Sequence, residues 1–529
     1  MNRLSLPTNQ ARESLQQPGA ILLISCYELG HQPIGLAQPV GFLEQKGYTP
    51  LTLDLSVSDF DVSHVKQAHV VGISVPMHTA LSLGCQVAER IRRINPNAHI
   101  CFYGLYASLN AEYLLSHLAD SVIGGEYETP LMNLLEQLAS SQSFPEMPND
   151  HCSTLVTQVE GVSCADSIVP PFLKRISWSS HASTTDVAHK ELFPVPTRTQ
   201  LSPLCEYARL EYQGLEHVVG YVEASRGCLH MCLHCPIVPV YQGKFFLFPA
   251  QVVLSDIRQQ VKAGAVHVTF GDPDFLNGPG HSLNIVRAMH EEFPDVTFDF
   301  TTKIEHILKH QLLFQEFSQL GCLFVISAVE SFSEHVLLHL EKGHTRNDIF
   351  MAHDILQTAG ITLRPSLVAF TPWTTLEDYV EMFDLVERHG LIDCIDPVQY
   401  SVRLLVPPGS ALLTPPDSHP IPMAQFLGSL DQQKFQHMWT HPDSRMDSLQ
   451  QSVTKAVEDS TKMKEDPAQT FYRLCELVYN TAGLEFSPLH KASSINPDRV
   501  RPPRMSEPWF CCAEPTTDQF HSVECSSNT

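Results

Sequence analysis

Three cysteines lie close together near the middle of the chain, in the segment Arg226–Pro236 (RGCLHMCLHCP). Cys228, Cys232 and Cys235 are spaced C-x3-C-x2-C, so one tight loop carries three thiols. As thiolates they can hold three irons of a cubane 4Fe–4S cluster, which usually takes four protein cysteines. The fourth iron would then be open to a substrate or cofactor.

Two other interpretations of the same cysteines remain open. A zinc ion could be bound with His230 or His234 as the fourth ligand, or the thiols could be buried without a metal. Zinc sites often combine two C-x2-C pairs, whereas the remaining close pair, Cys511 and Cys512, is adjacent and far along the chain. We therefore favour the iron–sulfur interpretation.

The cysteines directly follow the first of several apolar segments that alternate with helical patterns. This alternation predicts β/α units and a parallel sheet. Six such units make a partial (β/α)6 TIM-like barrel, two short of a closed one, with functional groups expected at the carboxyl ends of the strands. The predicted strands are Gly220–Ala224, Val266–Phe270, Thr297–Thr302, Leu323–Val329, Thr362–Phe370 and Ile395–Val402.

A second alternating region precedes the barrel. Fully apolar strands separated by helices predict a parallel sheet that is buried on both faces. Five strands in about 120 residues predict an α/β, flavodoxin-like doubly wound domain. The predicted strands are Ile21–Ser25, Thr49–Leu53, Val70–Val75, His99–Tyr103 and Ser121–Ile123.

The composition shifts predict five regions along the chain. The doubly wound domain covers 18–140, and the barrel covers 216–410. Between them, 141–215 is rich in proline and polar residues and is predicted to be a linker. The C-terminal extension is expected to be mostly irregular, with helices within 411–500 and a cysteine-containing tail over 501–529.

The charge balance restricts the classes of partner. The chain has 529 residues, with 34 basic and 58 acidic side chains and a net charge of −24. Nucleic acids and anionic membranes bind positive surfaces, so neither is expected as the main partner. The apolar runs are shorter than the ~18 residues of a membrane span. The 15 cysteines without a recognisable secretion signal predict reduced thiols and a cytoplasmic protein.

A C-x3-C-x2-C loop after the first strand of a partial barrel resembles the radical S-adenosylmethionine (SAM) superfamily. The resemblance implies that SAM binds the open iron through its amino and carboxylate groups. It further implies reductive cleavage of SAM to a 5′-deoxyadenosyl radical, which acts on a small-molecule or peptide substrate. The electron donor would be a protein such as flavodoxin or ferredoxin.

The same resemblance implies a set of cofactor-binding residues at the strand ends. One position departs from the superfamily pattern, because His234 stands where an aromatic residue commonly contacts the adenine. Helix capping and solvated charge are the ordinary alternatives for the others. These residues are Gly271, Asp272, Asp274, Lys303, Glu330, Ser331, Arg364 and Gln399.

A doubly wound domain before such a barrel resembles the cobalamin-dependent branch of the superfamily, as does the turn Gly124–Pro130 (GGEYETP). The resemblance implies cobalamin as a third cofactor, with Tyr27, Gly30, His31 and Ser74 on loops that line the corrin. The chain lacks the D-x-H-x-x-G motif because His31 has the wrong spacing, so a histidine-ligated cobalt is not predicted. Ordinary βα loops are the alternative.

The tail Phe510–Pro515 (FCCAEP) resembles the one that names the CUAEP/CCAEP-tail radical SAM (seleno)protein family. Some members have selenocysteine where Cys512 stands, which implies a catalytic redox or soft-ligand role for Cys511 and Cys512. Inert thiols are the alternative. We therefore expect a cobalamin-dependent radical SAM enzyme, with methyl transfer as the leading reaction. A zinc-stabilised scaffold and a thiol redox or metal-handling protein are the competing classes.

Overall fold

The structure is a computed structural model that describes residues 8–140, 162–164, 193–415, 423–486, 496 and 499–507. The described chain forms two compact units, each with its own sheet. The first unit runs to Tyr207 and also includes Gln432–Phe435, and the second begins at Ala208. None of the described helices is long and apolar enough to cross a membrane.

The sheet of the first unit has six strands in the order β2-β1-β3-β4-β5-β6. The first five are parallel, and β6 is an antiparallel edge strand. All residues of β1, β3, β4 and β5 are buried, because helices cover both faces of such sheets. The strands are β1 Ile21–Ser25, β2 Leu51–Asp54, β3 Val70–Ser74, β4 His99–Tyr103, β5 Ser121–Ile123 and β6 Val162–Cys164.

The parallel order 2-1-3-4-5 is that of flavodoxin-like sheets, in which ligands bind beyond the carboxyl ends of the strands. One helix precedes β1, and the others follow the parallel strands. They are α1 Thr8–Gln16, α2 Ile34–Gln45, α3 Val62–Gln67, α4 His78–Ile94, α5 Leu105–Leu109, α6 Ala111–His117 and α7 Glu128–Ser140.

The second unit contains a seven-stranded sheet in the order β14-β13-β12-β11-β8-β7-β17. Five of its strands are parallel: β8, β11, β12, β13 and β14. β7 pairs antiparallel with β8, and β17 pairs antiparallel with β7. A separate pair, β9 and β10, follows β8. The strands are β7 Arg209–Tyr212, β8 Leu215–Val222, β9 Ser225–Gly227, β10 Phe245–Leu247, β11 His267–Phe270, β12 Thr297–Thr301, β13 Cys322–Glu330, β14 Thr362–Leu367, β15 Leu427–Asp431, β16 Gln436–Trp439 and β17 Arg504–Met505.

Helices connect the parallel strands, and two longer helices follow the β15–β16 hairpin. These last two helices have 20 and 16 residues, so the described part of the C-terminal extension is more regular than expected. The helices are α8 Ile237–Tyr241, α9 Ala250–Lys262, α10 Pro279–Glu292, α11 Ile304–Lys309, α12 Phe314–Gln319, α13 Glu334–His339, α14 Arg346–Ala359, α15 Leu376–Arg388, α16 Ser444–Met463 and α17 Pro467–Ala482.

The predicted sixth barrel strand, Ile395–Val402, is wrong. The chain there forms two 3-10 turns, Ile392–Cys394 and Pro397–Tyr400. One isolated parallel bridge joins Phe370 to Arg403, directly after the predicted range. Proline has no N–H to donate to a sheet and has the φ angle of a turn, so Pro397 favours the 3-10 turn over a strand. The barrel is therefore more open than six complete units would make it.

Part of the predicted linker is also ordered. Its last residues form β7, which pairs with β8, while Pro194–Thr197 runs along α2. The Gln38 side chain donates to Pro194 O at 3.2 Å, and Thr197 N donates to Ala37 O at 2.9 Å. The proline-rich composition did not predict this packing.

Candidate cluster and cofactor site

Backbone hydrogen bonds fix the cysteine loop at its start and near its middle. The loop leaves β9, which pairs antiparallel with β10, and Cys228 N donates to Lys244 O at 3.1 Å. Farther along, Leu233 N donates to Leu340 O at 3.2 Å, which joins the loop to the segment after α13. The loop therefore has a defined position beyond β8, the first parallel strand.

Gly227 permits the close approach at the start of the loop. Its φ is +82°, a left-handed conformation that favours glycine. A Cβ at this position would lie 2.5 Å from Lys244 O and 2.8 Å from Tyr241 Cδ1. Any larger residue would therefore push β9 and β10 apart.

The three cysteine thiols are free and wholly or partly buried. Burial, together with the charges of the other two cysteines, raises the pKa of Cys235 to about 12, and burial also raises the pKa of Cys228. Thiolates at such positions need a cation, which a metal centre supplies while it releases the protons. The donor set thus fits an iron–sulfur cluster.

The spacing of the sulfurs argues against one zinc ion. A tetrahedral zinc with Zn–S bonds of about 2.3 Å requires sulfurs roughly 3.8 Å apart. Among the described residues, one group of three metal-binding side chains has its ligand atoms within 4.8 Å of one another, and the cysteines are not that group. The three sulfurs are therefore not all gathered as closely as one tetrahedral zinc requires.

Both histidines of the loop contact other side chains. His234 Nε2 lies 3.2 Å from Glu330 Oε1. His230 Nδ1 lies 3.1 Å from Lys303 Nζ, and its Nε2 lies 3.4 Å from Asp274 Oδ2. His230 therefore faces Lys303 and Asp274.

Glu330 ends β13 and connects the loop to a buried lysine. Its carboxylate accepts from Lys342 Nζ at 3.2 Å as well as contacting His234, and it is 7% exposed. Burial alone would raise the pKa of Glu330, but the Lys342 and His234 charges bring it down to about 2. Its φ of +64° shows that the backbone adopts a strained conformation to place this carboxylate.

The loop after β11 is hydrogen-bonded to the chain between β8 and β9. Asp272 Oδ2 accepts from Ala224 N at 2.9 Å, and Oδ1 accepts from the Ser225 hydroxyl. Asp272 thereby fixes the chain between β8 and β9. Gly271 gives room for Tyr221, whose hydroxyl oxygen would lie 2.0 Å from a Cβ at that position.

Three further predicted or candidate side chains lie at strand ends. Asn277 accepts from Leu229 N at 3.4 Å, and its buried Nδ2 makes no hydrogen bond to the described residues. Lys303, 8% exposed, also pairs with Glu305 at 3.6 Å. Ser331 Oγ accepts from Ser333 N at 3.1 Å, a local turn contact.

Arg364 and Gln399 make contacts within the far side of the sheet. Arg364 pairs with Asp396 at 2.8 Å and donates to Pro503 O at 3.2 Å. Gln399 accepts from Leu367 N at 2.8 Å. Both side chains therefore have partners, and the structure does not bring them to the cysteine loop.

In the first unit, the loop after β1 is fixed by a buried glutamate. Glu28 accepts from Ile34 N at 3.0 Å and Gly35 N at 3.2 Å, which caps the start of α2. A Cβ on Gly35 would lie 2.4 Å from Ser74 Oγ, so this loop and the end of β3 are in close contact. Gly30, with φ of +69°, makes a turn within the loop from β1 to α2.

Tyr27, Ser74 and His31 have different degrees of burial on these loops. Tyr27 and Ser74 are buried, whereas His31 is half-buried and its N donates to Glu28 O at 2.9 Å. Gly104, at the end of β4, has a φ of +111°. A Cβ on this residue would lie 3.2 Å from the Val75 carbonyl, so the ends of β3 and β4 are in close contact. Gly35 and Gly104 therefore allow the loops at the carboxyl ends of β1, β3 and β4 to pack closely against one another.

The position that would carry a cobalt-binding histidine is Gln32, three residues before Gly35. Its amide donates to Ser202 O at 2.9 Å and accepts from Arg198 Nη1 at 2.8 Å. The side chain is 6% exposed. The residues present therefore fit a corrin without a protein imidazole at this position.

Cys511 and Cys512 lie outside the described residues, so the predicted role of the tail stays a prediction. Sequence reasoning missed Lys342, His306 and Glu28, all of which are buried charged or polar groups near predicted residues. Their segments carried no spacing signal. Lys342, for example, lies three residues after the end of α13, in a segment without a recognisable motif.

No protein-family model matches the chain. The chain is similar to the hopanoid C-3 methylase of Methylococcus capsulatus, with 24% identity over 353 residues. The alignment covers 65% of this chain and 62% of that protein, so it spans less than two thirds of the relative.

Two solved structures share the fold. The cobalamin-dependent SAM radical enzyme OxsB, with aqua-cobalamin bound, superposes with a TM-score of 0.62 at 15% identity, covering 88% of this chain and 74% of OxsB. The radical SAM methyltransferase TsrM from Kitasatospora setae, with cobalamin and a 4Fe–4S cluster bound, gives 0.52 at 16% identity and covers 71% of each chain. These likenesses confirm the fold class, a flavodoxin-like doubly wound domain followed by a partial TIM-like barrel.

Proposed function

We propose that this protein is a radical SAM enzyme in which Cys228, Cys232 and Cys235 hold a 4Fe–4S cluster. The observation that carries the proposal is the loop beyond β8, which backbone hydrogen bonds join to Lys244 and Leu340 and which carries three free, wholly or partly buried cysteines. The likeness to the hopanoid methylase and the fold shared with OxsB and TsrM support it.

When bound, the cluster supplies an electron that cleaves SAM to a 5′-deoxyadenosyl radical, and methylcobalamin supplies a methyl group. The chain's own residues orient these groups and exclude water. Lys303 is positioned to pair with the SAM carboxylate, and the unpaired Nδ2 of Asn277 is a donor for a cofactor oxygen.

Positioning residues fix the site from two sides. Asp272 and Gly271 hold the strand end next to β8, and Glu330 fixes the ring of His234 at the adenine-contact position. Ser331 follows Glu330 and offers a hydroxyl to the ribose. The buried Glu330–Lys342 pair keeps this side of the loop rigid.

In the first unit, Tyr27, Gly30, His31 and Ser74 would face the corrin. Gln32 is bound to Arg198 and Ser202, so the cobalamin is held without a protein imidazole from that position. We further assign the chain to the CUAEP/CCAEP-tail radical SAM family, with the tail thiols acting after the radical step. Methyl transfer to an unidentified small molecule or peptide is the proposed reaction, with a flavodoxin or ferredoxin as electron donor.

The test is anaerobic. The protein is reconstituted with iron and sulfide and incubated with SAM, dithionite and methylcobalamin, and the nucleosides are measured by mass spectrometry. We expect 5′-deoxyadenosine and S-adenosylhomocysteine from the wild type and from Cys205→Ala, which changes an exposed cysteine. Cys228→Ala should yield neither.

Two outcomes would contradict the proposal. One zinc per chain with no sulfide would exclude the cluster. If the wild type holds a full cluster but Cys228→Ala still forms the same nucleoside products, SAM must be cleaved elsewhere.

A further inference from the structure

Three metal-binding side chains converge beside the cysteine loop without including any cysteine. His230 belongs to the loop, Asp274 follows β11, and His306 lies in α11. One ligand atom from each lies within 4.8 Å of the other two. Three separate elements therefore bring their side chains to one point.

The converging atoms are buried and lack ordinary partners. Asp274 Oδ2 lies 2.8 Å from His306 Nδ1 and 3.4 Å from His230 Nε2. None of these three atoms makes a hydrogen bond of acceptable geometry within the described part of the chain. The Asp274 side chain is 1% exposed, so water cannot readily replace the missing partners.

The rest of the Asp274 carboxylate is already fixed. Its Oδ1 accepts from the Thr302 hydroxyl at 2.6 Å and from Leu276 N at 3.2 Å, which leaves Oδ2 as the free oxygen. Both imidazoles therefore face the one oxygen of Asp274 that these two hydrogen bonds leave open.

His230 also has an outer partner for its second nitrogen. In this structure His230 Nδ1 accepts from Lys303 Nζ at 3.1 Å, and Glu305 Oε2 lies 3.7 Å from the same nitrogen. Binding of Nε2 to a metal would put the proton on Nδ1, so Lys303 would turn away and Glu305 would become the acceptor of that proton. Lys303 pairs with the same Glu305 carboxylate at 3.6 Å. A histidine ligand whose other nitrogen faces a carboxylate is the usual arrangement in metal sites.

We propose that His230, Asp274 and His306 form a second, mononuclear site for a divalent first-row transition ion. Two imidazole nitrogens and one carboxylate oxygen suit zinc, iron(II) or cobalt(II) and leave at least one coordination position open. The ion joins the cysteine loop to the ends of two barrel strands. The site uses no thiolate, although His230 lies between Cys228 and Cys232 of the cysteine loop.

The test adds cobalt(II) to the full-length protein after its cluster has been reconstituted. The Cys511→Ser/Cys512→Ser background removes the tail thiols, which also bind soft metals. We expect one cobalt per chain and a high-spin EPR signal, with two exchangeable, hyperfine-shifted imidazole N–H resonances. Less than 0.2 equivalents, on the order of background, or fewer than two such resonances, overturns the proposal.

Variants then assign the ligands. Asp274→Asn and His306→Gln should abolish tight binding, whereas the neighbouring His310→Gln should bind as the wild type does. Glu305→Gln keeps all ligands and should weaken binding about 10- to 100-fold. Equal binding in wild type, Asp274→Asn and His306→Gln would overturn the proposal. The resonance count needs no variant and no SAM cleavage, so it stands even if the proposed function fails.

Discussion

A buried ion pair next to the cysteine loop should be costly to break from one side. Lys342 and Glu330 are 2% and 7% exposed, and each is the charge partner of the other. Lys342→Met leaves the Glu330 carboxylate buried without its cation, which should lower the free energy of unfolding by about 3–5 kcal/mol. Chemical denaturation of the cluster-free protein measures this change.

The paired variant tests the cause of that loss. Glu330→Gln with Lys342→Met removes both charges and should recover most of the stability, so the coupling energy should be large. Additive effects of the two changes would show that packing, and not the unpaired charge, is responsible.

His344 should make stability depend on pH. It is 7% exposed, and burial, with the nearby Lys342 and Lys303 charges, lowers its pKa to about 4. The unfolded chain binds a proton near pH 6.5, so stability is complete above that pH and is lost as the pH falls towards 4. The loss should be about 2 kcal/mol between pH 7 and pH 5.

The measurement compares urea unfolding of wild type and His344→Gln at the two pH values, without the cluster. The difference between the two proteins should change by that amount, since all other titrating groups are shared. Parallel pH dependences would mean that folding does not change the pKa of His344.

At the residue scale, the sequence predicts what is local and misses what is assembled. Cys228, Cys232 and Cys235 are recognisable because a short spacing alone brings them together. The group of His230, Asp274 and His306 comes from three segments up to 76 positions apart, so only the folded barrel reveals it. Asp272 was predicted as a cofactor contact, yet its carboxylate bonds to Ala224 and Ser225.

At the scale of elements, the turn at Gly227 should decide whether the loop can hold metal. Gly227→Ala places a methyl group 2.5 Å from Lys244 O at a φ of +82°, which must separate β9 from β10. We expect lower iron and sulfide content after reconstitution, with an unfolding free energy reduced by about 1–3 kcal/mol. Gly280→Ala is the control, because nothing lies within 4 Å of its Cβ.

Full iron content in Gly227→Ala would show that the β9–β10 pair is not needed for the loop. The parallel strands themselves were predictable, since continuous apolar runs have one stable position in a sheet covered on both faces. Ile395–Val402 (IDPVQYSV) mixes polar residues with apolar ones and contains Pro397, and a 3-10 turn forms at Pro397–Tyr400. β7 was missed because it is short and mostly polar and lies within a proline-rich stretch.

At the scale of the whole molecule, the proposed cofactors divide between the two compact units. All cluster residues and the strand ends around them belong to the unit that begins at Ala208, while the glycine-lined loops belong to the unit that ends at Tyr207. Each unit has its own parallel sheet and buried core. This division makes the two cofactor assignments separately testable.

Separate expression of residues 1–207 and 208–513 provides that test. The second fragment should take up four irons and four sulfides but no cobalamin, because it retains every cysteine of the loop and its β9–β10 support. The first fragment should bind cobalamin without iron, and Gly35→Val should abolish this binding, since a larger side chain collides with Ser74 and Glu28. Metal analysis and absorption spectra report both contents. Cobalamin bound to the second fragment alone would refute the assignment to the doubly wound domain while leaving the cluster intact.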